Sequence, residues 1–279
     1  MTNIQRIAAF SDNNKGGNPA GVVIGNEMPV EKEMLSIAKK VGYSETAFLS
    51  PLKDGWRIRY FAPEKEVPFC GHATIASGAA LGERLGPGRY KLFLNKGEIS
   101  LEVSNSVGGS FLVTLQSPET WSENAPTDLV NNVLSLFNWT RNQLDPNFPI
   151  RIASAGARHL ILFLKEKETL SNMNYGFEEV KALMLKEDLT TISFLWAESS
   201  RLFHSRNSFA SGGVYEDPAT GAAAAALAGY LRDIDWKGES KFEILQGEDM
   251  GCPSRLHVEF TKEEGASIKL MGETRKIKL

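Results

Sequence analysis

Three side chains of this sequence are candidates for acid–base chemistry or for holding a polar ligand: Glu45, His72 and Asp217. Glu45 stands at the start of the apolar run 46–49. A carboxylate beside a strand is most often a solvated turn residue. In an apolar setting it can instead work as a general acid and base. The repeats described below indicate that the chain consists of two similar halves. The matching strand of the second half, 191–196, carries no carboxylate, so the sequence provides one base rather than two.

His72 and Asp217 each stand near the start of a run of small apolar residues, 68–81 and 216–227. The runs share Ala-Thr and a closing Leu at matching offsets from Gly71 and Asp217, which indicates a duplication. A helix that is apolar on every side must be buried. His72 is equally compatible with a satisfied polar residue at a buried helix start, and Asp217 before Pro218 with a plain N-cap.

The flanking patterns predict the same order of elements in both halves, ββαββαβββ. Arg59-Tyr-Phe61 before the first helix is matched with Arg201-Leu-Phe203 before the second. The expected halves are residues 1–118 and 119–264, with 265–279 free to return to the first half. The predicted fold is α+β: two pseudo-symmetric halves, each a mixed, mostly antiparallel sheet or barrel wrapped around a central helix. The two helix N-termini would meet at a cleft and bind a substrate carboxylate.

Composition argues against several classes of protein. With 31 basic and 34 acidic residues the net charge is −3, and no Lys/Arg run could follow a phosphate backbone, so no nucleic-acid partner is expected. No signal core and no run of about 18 apolar residues is present, which predicts a cytoplasmic protein without a membrane partner. The two cysteines allow at most one disulfide, and the four histidines lack zinc-ligand spacing, so no metal is expected.

Several motifs, in order along nearly the whole chain, resemble those of the PhzF-like (phenazine biosynthesis) isomerases, which share the diaminopimelate epimerase fold. They are Asn18-Pro-Ala-Gly21, Ser44-Glu-Thr46, Arg59-Tyr-Phe-Ala-Pro63, Cys70-Gly-His-Ala-Thr74, Gly156-Ala-Arg-His159, Glu216-Asp-Pro-Ala-Thr-Gly221 and Gln246-Gly247.

This resemblance implies a cofactor-free and metal-free isomerase in which Glu45 moves a proton between two carbons of a small carboxylate substrate. It also implies a homodimer. By the same analogy His72 and Asp217 hold polar groups of the substrate. The remaining substrate-binding positions would be Asn18, Ser44, Gly71, Gly221 and Ala222, with Gly71 and Gly221 binding the carboxylate through their backbone N–H groups. Phenazine isomerases carry Ser where this chain has Ala222, which argues against the phenazine precursor as its substrate.

Two other functions remain open. One is a thiol-dependent racemase or epimerase that uses Cys70. Such enzymes use one thiol from each half, and the second half has none at the matching place, since Cys252 follows in a later turn. Both cysteines are therefore interpreted as small buried hydrophobes. The other is a binding or scaffold protein without catalytic activity.

Overall fold

The structure is a computed structural model that describes residues 3–106 and 109–278. The chain forms two compact units, one of Met1–Gln116 with Met271–Leu279 and one of Ser117–Leu270. Within the described residues, none of the helices has both the length and the apolar character needed to span a membrane.

The elements of the chain are as follows. The first unit contains β1 (Ile4–Ala9), β2 (Asn18–Ile24), α1 (Glu31–Val41), β3 (Thr46–Leu52), β4 (Gly55–Phe61), β5 (Glu66–Val67), α2 (Gly71–Leu85), β6 (Gly88–Phe93), β7 (Glu98–Asn105) and β8 (Phe111–Gln116). Then come β9 (Trp121–Asn124), α3 (Thr127–Leu136), β10 (Arg151–Ser154), β11 (Arg158–Leu164), α4 (Lys167–Ser171), α5 (Phe177–Lys186), β12 (Thr191–Ala197), β13 (Leu202–Ser208), β14 (Glu216–Asp217), α6 (Gly221–Asp233), β15 (Lys241–Gln246), β16 (Ser254–Glu259) and β17 (Lys269–Lys276).

Eight strands of the first unit close into a barrel. They pair in the order β1, β2, β3, β4, β6, β7, β8 and β17, and β17 pairs back with β1. The β2–β3 and β4–β6 pairs are parallel, and the other pairs with a described register are antiparallel. Each parallel pair is joined by a helix, α1 or α2, because parallel neighbours need a crossover connection. This mixed barrel confirms the predicted fold class.

Helix α2 lies inside this barrel, and its residues 72–82 are buried without a break. Small residues make the fit possible. A Cβ added at Gly78 would lie 2.6 Å from Val113 Cγ1, and one added at Gly82 would lie 2.8 Å from Val103 Cγ1. The helix therefore packs directly against β7 and β8, as its uniformly apolar sequence predicts.

The second unit repeats this arrangement. Its strands pair in the order β9, β10, β11, β12, β13, β15 and β16, with parallel pairs β11–β12 and β13–β15. Helix α5 joins the first parallel pair and α6 the second. Helix α6 is buried over residues 223–231, and a Cβ on Gly229 would lie 2.6 Å from Thr120 Cβ. Helices α3 and α5 contribute to a separate apolar cluster around Val133, Val180 and Phe194.

The last strand returns to the first unit. The sequence predicts a final strand near 266–271 and leaves residues 265–279 free to return to the first half. The observed strand, β17, spans Lys269–Lys276, and its residues 274–276 pair with β1. In the second unit β9, which follows β8 directly, pairs antiparallel with β10 as β17 pairs with β1. The barrel of the first unit is thus completed by a strand from the C-terminal end of the chain.

The strand register also corrects the internal alignment. Phe61 pairs with Glu66 in the first unit, and Ser208 pairs with Glu216 in the second. The counterpart of Arg59 is therefore Arg206, and matching it with Arg201 was wrong.

The alignment of the two helices was also wrong, by one turn. Val67 corresponds to Asp217, and each helix begins four residues later, at Gly71 and at Gly221. Gly71 therefore matches Gly221, not Asp217. By the same offset Cys70 corresponds to Thr220, and His72 corresponds to Ala222.

Candidate active site

Glu45 lies immediately before β3 in the first unit. Its backbone carbonyl accepts a hydrogen bond of 3.2 Å from the N–H of Gly21 in the parallel neighbour β2. Only 15% of its side chain is accessible to solvent. The pairing of β2 with β3 therefore holds the backbone of Glu45 in place while its carboxylate remains reachable.

His72 is the second residue of α2, and it brings its ring to Glu45. The distance between His72 Nε2 and Glu45 Oε2 is 3.3 Å, and Ser44 Oγ lies 3.4 Å from the same nitrogen. The His72 side chain is 9% accessible. Three residues that the sequence singled out, Ser44, Glu45 and His72, thus form one cluster at the N-terminus of the buried helix.

Cys70 completes this cluster at the N-cap position of α2. Its Sγ lies 3.5 Å from Nδ1 and 3.8 Å from Nε2 of His72. The sequence interpretation treated Cys70 as packing only, and the structure places its thiol beside the ring of His72. Because Cys70 and Cys252 are both outside disulfides, this sulfur is a thiol or thiolate.

A chain of buried hydroxyl groups positions the backbone of Cys70. Thr74 Oγ1 donates a hydrogen bond of 2.6 Å to the Cys70 carbonyl, and the Tyr60 hydroxyl lies 2.6 Å from Thr74 Oγ1. Since the Thr74 proton is already donated, Tyr60 is the donor in that second bond. Burial raises the pKa of Tyr60 far above its usual value, so the phenol keeps its proton.

Asn18 and Gly71 lie on the two elements that support this cluster. Asn18 is the first residue of β2 and is buried, three residues before the glycine that binds the Glu45 carbonyl. Gly71 is the first residue of α2. N–H groups of a first helical turn have no partner inside the helix and point toward an approaching anion.

The second unit holds a separate polar cluster at the N-terminus of α6. Thr220 Oγ1 donates a hydrogen bond of 2.6 Å to Asp217 Oδ2. Gln246 Nε2 donates to the Asp217 carbonyl at 2.7 Å, and Gln246 Oε1 accepts from the Thr220 N–H at 3.2 Å. Asp217 is therefore a residue of β14, and Thr220 rather than Asp217 occupies the N-cap position of α6. Gly221 and the half-buried Ala222 are the first two residues of that helix.

Sequence reasoning did not assign Thr220 and Gln246 to a site. The available signal was the dipeptide Gln246-Gly247. Gly247 has φ of +75°, and a Cβ there would lie 2.8 Å from the Pro218 carbonyl oxygen and closer still to that of Cys252. Only glycine fits so close to two backbone carbonyls. This close approach keeps Gln246 beside the loop that carries Asp217.

Comparison with known proteins gives concordant results. Residues 7–276 match the family model described as phenazine biosynthesis-like protein. An uncharacterized isomerase of Bacillus subtilis, YfhB, is 30% identical over 96% of this chain and 93% of that protein. The trans-2,3-dihydro-3-hydroxyanthranilate isomerase of Pseudomonas aeruginosa is 32% identical over 95% of this chain and 91% of that enzyme.

A solved structure agrees with these matches. The crystal structure of a phenazine biosynthesis protein of the PhzF family from Bacillus anthracis superposes with a TM-score of 0.87 at 25% identity, covering 99% of this chain and 97% of that one. The match extends over both units. The chain therefore belongs to the phenazine biosynthesis-like protein family and is an isomerase.

Proposed function

We propose that this isomerase shifts a proton between two carbons of a small carboxylate metabolite, with Glu45 as the single acid and base. The observation that carries the proposal is the contact of 3.3 Å between the Glu45 carboxylate and the His72 ring at the start of the buried helix. It places a carboxylate beside a second polar group, at a helix start whose first N–H groups have no partner within the helix.

The internal repeat supports a single base. Thr46 pairs with Phe61, and Ile192 pairs with Ser208, so the residue before each strand pair, Glu45 or Thr191, occupies the same place in its unit. Thr191 has no carboxylate, and its hydroxyl lies 2.7 Å from Nδ1 of the buried His159. A second base facing the substrate from the equivalent position is therefore not expected.

The chemistry needs no net redox change. Glu45 takes a proton from one carbon of the substrate, and the electron pair of that C–H bond stays on the substrate as a delocalised carbanion. The protonated Glu45 then returns the proton to a different carbon, and a double bond shifts. His72, held between Glu45 and Cys70, orients a polar group of the substrate. Both reacting carbons must lie within reach of the same carboxylate.

The N-termini of α2 and α6 each have features that favour binding of a carboxylate. Among the described helices, α1, α3, α4 and α5 carry Asp or Glu in their first turn, whereas α2 and α6 carry none. An acidic side chain in the first turn would repel an anionic ligand from the positive end of the helix dipole. We assign carboxylate binding to the N–H groups at each helix start taken by itself, Gly71 in α2 and Gly221 in α6, and binding of a further polar group to Asp217.

The test is Glu45→Gln, with Glu64→Gln as a matched control on the exposed loop after β4. The substrate to try first is trans-2,3-dihydro-3-hydroxyanthranilate, the compound in the name of the Pseudomonas aeruginosa relative. Loss of a general acid and base costs at least about 100-fold in rate. We expect that loss for Glu45→Gln, normal activity for Glu64→Gln, and unchanged melting temperatures. A fully active Glu45→Gln protein would refute the proposal.

A thiol-dependent racemase or epimerase is the second candidate, because Cys70 Sγ lies 3.5 Å from His72. Its counterpart in the second unit is Thr220, so the paired thiols of a two-base mechanism are missing. The activity of Cys70→Ala separates the two mechanisms. It is measured with a chelator present, so that trace metal bound by the thiol of the wild type does not affect the comparison. Under the Glu45 mechanism the variant loses less than about 10-fold, below the scale of losing a general base. A scaffold without activity would catalyse no exchange of solvent deuterium into a bound ligand.

A further inference from the structure

We infer that Glu45, Cys70 and His72 form a binding site for Zn²⁺ and that the ion inhibits this isomerase. One ligand atom from each of these residues lies within 4.8 Å of the other two. The three atoms are a carboxylate oxygen, a thiol sulfur and an imidazole nitrogen. Binding of the ion is independent of the proposed function, and only the inhibition rests on the role of Glu45 proposed above.

The distances between the ligand atoms suit a tetrahedral zinc ion. With Zn–N and Zn–O near 2.1 Å and Zn–S near 2.3 Å, tetrahedral angles require about 3.4 Å between N and O and about 3.6 Å between N and S. The observed separations are 3.3 Å from His72 Nε2 to Glu45 Oε2 and 3.8 Å from His72 Nε2 to Cys70 Sγ. Cys70 Sγ also lies 3.5 Å from His72 Nδ1, so a rotation of the Cys70 or His72 side chain must bring the sulfur in front of Nε2 before one ion can bind all three atoms.

The ligand types select the metal. Thiolate and imidazole favour Zn²⁺ over Mg²⁺ and Ca²⁺, which prefer sites made of oxygen atoms only. Cys70 occupies the N-cap position of α2, so its sulfur belongs to the residue at the N-terminal end of that helix. Three protein ligands leave the fourth position of the tetrahedron open to water.

The backbones of the three ligand residues are held in place before any ion arrives. Glu45 is fixed through the β2–β3 pairing, and Cys70 and His72 are two residues apart at the start of one buried helix. Thr74 and Tyr60 fix the Cys70 backbone through the hydroxyl chain described above. A bound ion would occupy both the carboxylate and the imidazole, so neither could act on a substrate.

The site is tested by titrating the metal-free protein with Co²⁺, a spectroscopic substitute for Zn²⁺. We expect a sulfur-to-cobalt charge-transfer band and tetrahedral visible bands that saturate at one equivalent. Stoichiometric Zn²⁺ should remove them, and excess Mg²⁺ should not. Cys252→Ala is the matched control and keeps the charge-transfer band. Cys70→Ala loses it.

The expected loss of Zn²⁺ affinity in Cys70→Ala is at least about 100-fold, above the 10–100-fold that loss of a merely supporting residue costs. Glu45→Gln should keep the charge-transfer band and also bind Zn²⁺ more weakly than the wild type. The assignment of the metal site therefore does not depend on the folding of one variant. No charge-transfer band in the wild type would overturn the inference, as would Cys70→Ala binding with unchanged spectrum and affinity. Inhibition is measured separately, as loss of turnover on adding one equivalent of Zn²⁺ and its return with chelator.

Discussion

The ion pair of Arg206 with Glu216, the residue before Asp217 in β14, is the most deeply buried of the described ion pairs that involve arginine or lysine. Arg206 Nε and Nη2 donate hydrogen bonds of 3.0 and 2.5 Å to the two carboxylate oxygens of Glu216. Only 10% and 3% of these side chains are accessible. Arg206 Nη1 also donates to the Ser171 carbonyl at 2.8 Å. The guanidinium of Arg206 is thus charged and buried, and the carboxylate of Glu216 is the main group that compensates its charge.

Glu216→Gln should therefore be strongly destabilising. Glutamine keeps the shape and removes the counter-charge, and breaking a buried pair in this way costs about 3–5 kcal/mol. Asp249 Oδ2, 3.8 Å from Arg206 Nε, remains as a distant counter-charge and favours the lower end of that range. In a unit of this size each kcal/mol shifts the melting temperature by about 2–4 °C, so a drop of about 6–20 °C is expected.

The internal repeat provides the control. Arg59 and Glu66 form the equivalent bidentate pair in the first unit, at 2.7 and 2.6 Å, but 19% and 21% of their side chains are accessible. Glu31 also lies 3.3 Å from Arg59 and remains after the change. Because water and a second carboxylate compensate, Glu66→Gln should cost about 1 kcal/mol or less.

The losses of unfolding free energy in Glu216→Gln and Glu66→Gln are compared at neutral pH by calorimetry and by urea unfolding. A double variant, Arg206→Met with Glu216→Gln, should recover part of the stability because it removes the unpaired charge. Equal losses for Glu216→Gln and Glu66→Gln would refute the reasoning that burial, rather than hydrogen-bond geometry, sets the cost. So would a loss below about 1 kcal/mol for Glu216→Gln, the scale of an exposed pair.

Three further outcomes are expected. Burial lowers the pKa of His159 from 6.5 to about 3, so the unfolded chain binds a proton that the folded one does not. The free energy of unfolding should then fall by about 1.4 kcal/mol per pH unit below pH 6.5. In His159→Gln the free energy of unfolding should depend less on pH between pH 7.5 and 5, and an unchanged dependence would contradict this. The hydrogen bonds from Arg59 lower the pKa of Glu66 below 4.5, so the stability that this carboxylate contributes near neutral pH is lost as pH falls through and below that value. Wild type and Glu66→Gln should accordingly converge in melting temperature in acid. Ala222→Ser adds a hydroxyl donor at the second residue of α6, and a hydrogen bond to a charged group is worth about 1.5–3 kcal/mol. Its kcat/KM for trans-2,3-dihydro-3-hydroxyanthranilate should rise about ten-fold or more, and no gain would show that specificity is set elsewhere.

Local sequence pattern was sufficient for the main elements of this fold. The sequence pattern over 177–186 predicts a helix that the structure has as α5, and the pattern over 30–41 predicts α1, which begins one residue later. Both carry an apolar stripe with helical period, which neighbouring residues alone define. The two small-residue runs likewise predicted buried central helices, because a helix without a polar face cannot lie at the surface.

The relation between the two halves could not be read from residue types. The runs that form α2 and α6 consist of Ala and Gly with few distinguishing side chains, so an alignment by letters slipped by one turn. Only the pairing of β5 with β4 and of β14 with β13 decides that Gly71 matches Gly221. The turns inside these two pairings differ in length, with residues 62–65 in one and 209–215 in the other, so spacing along the sequence does not reveal which residues correspond.

In the candidate site, too, the sequence specified one part and the tertiary structure decided another. The sequence determined that one carboxylate, Glu45, stands before an apolar strand without a counterpart in the second half. That Cys70 and Glu45 both contact the His72 ring was decided by the tertiary structure, since 25 residues separate Glu45 from Cys70 along the chain. The parallel β2–β3 pair and the buried start of α2 bring them together. Residue types therefore specify which groups can react, and packing of the helix inside its barrel specifies which of them meet.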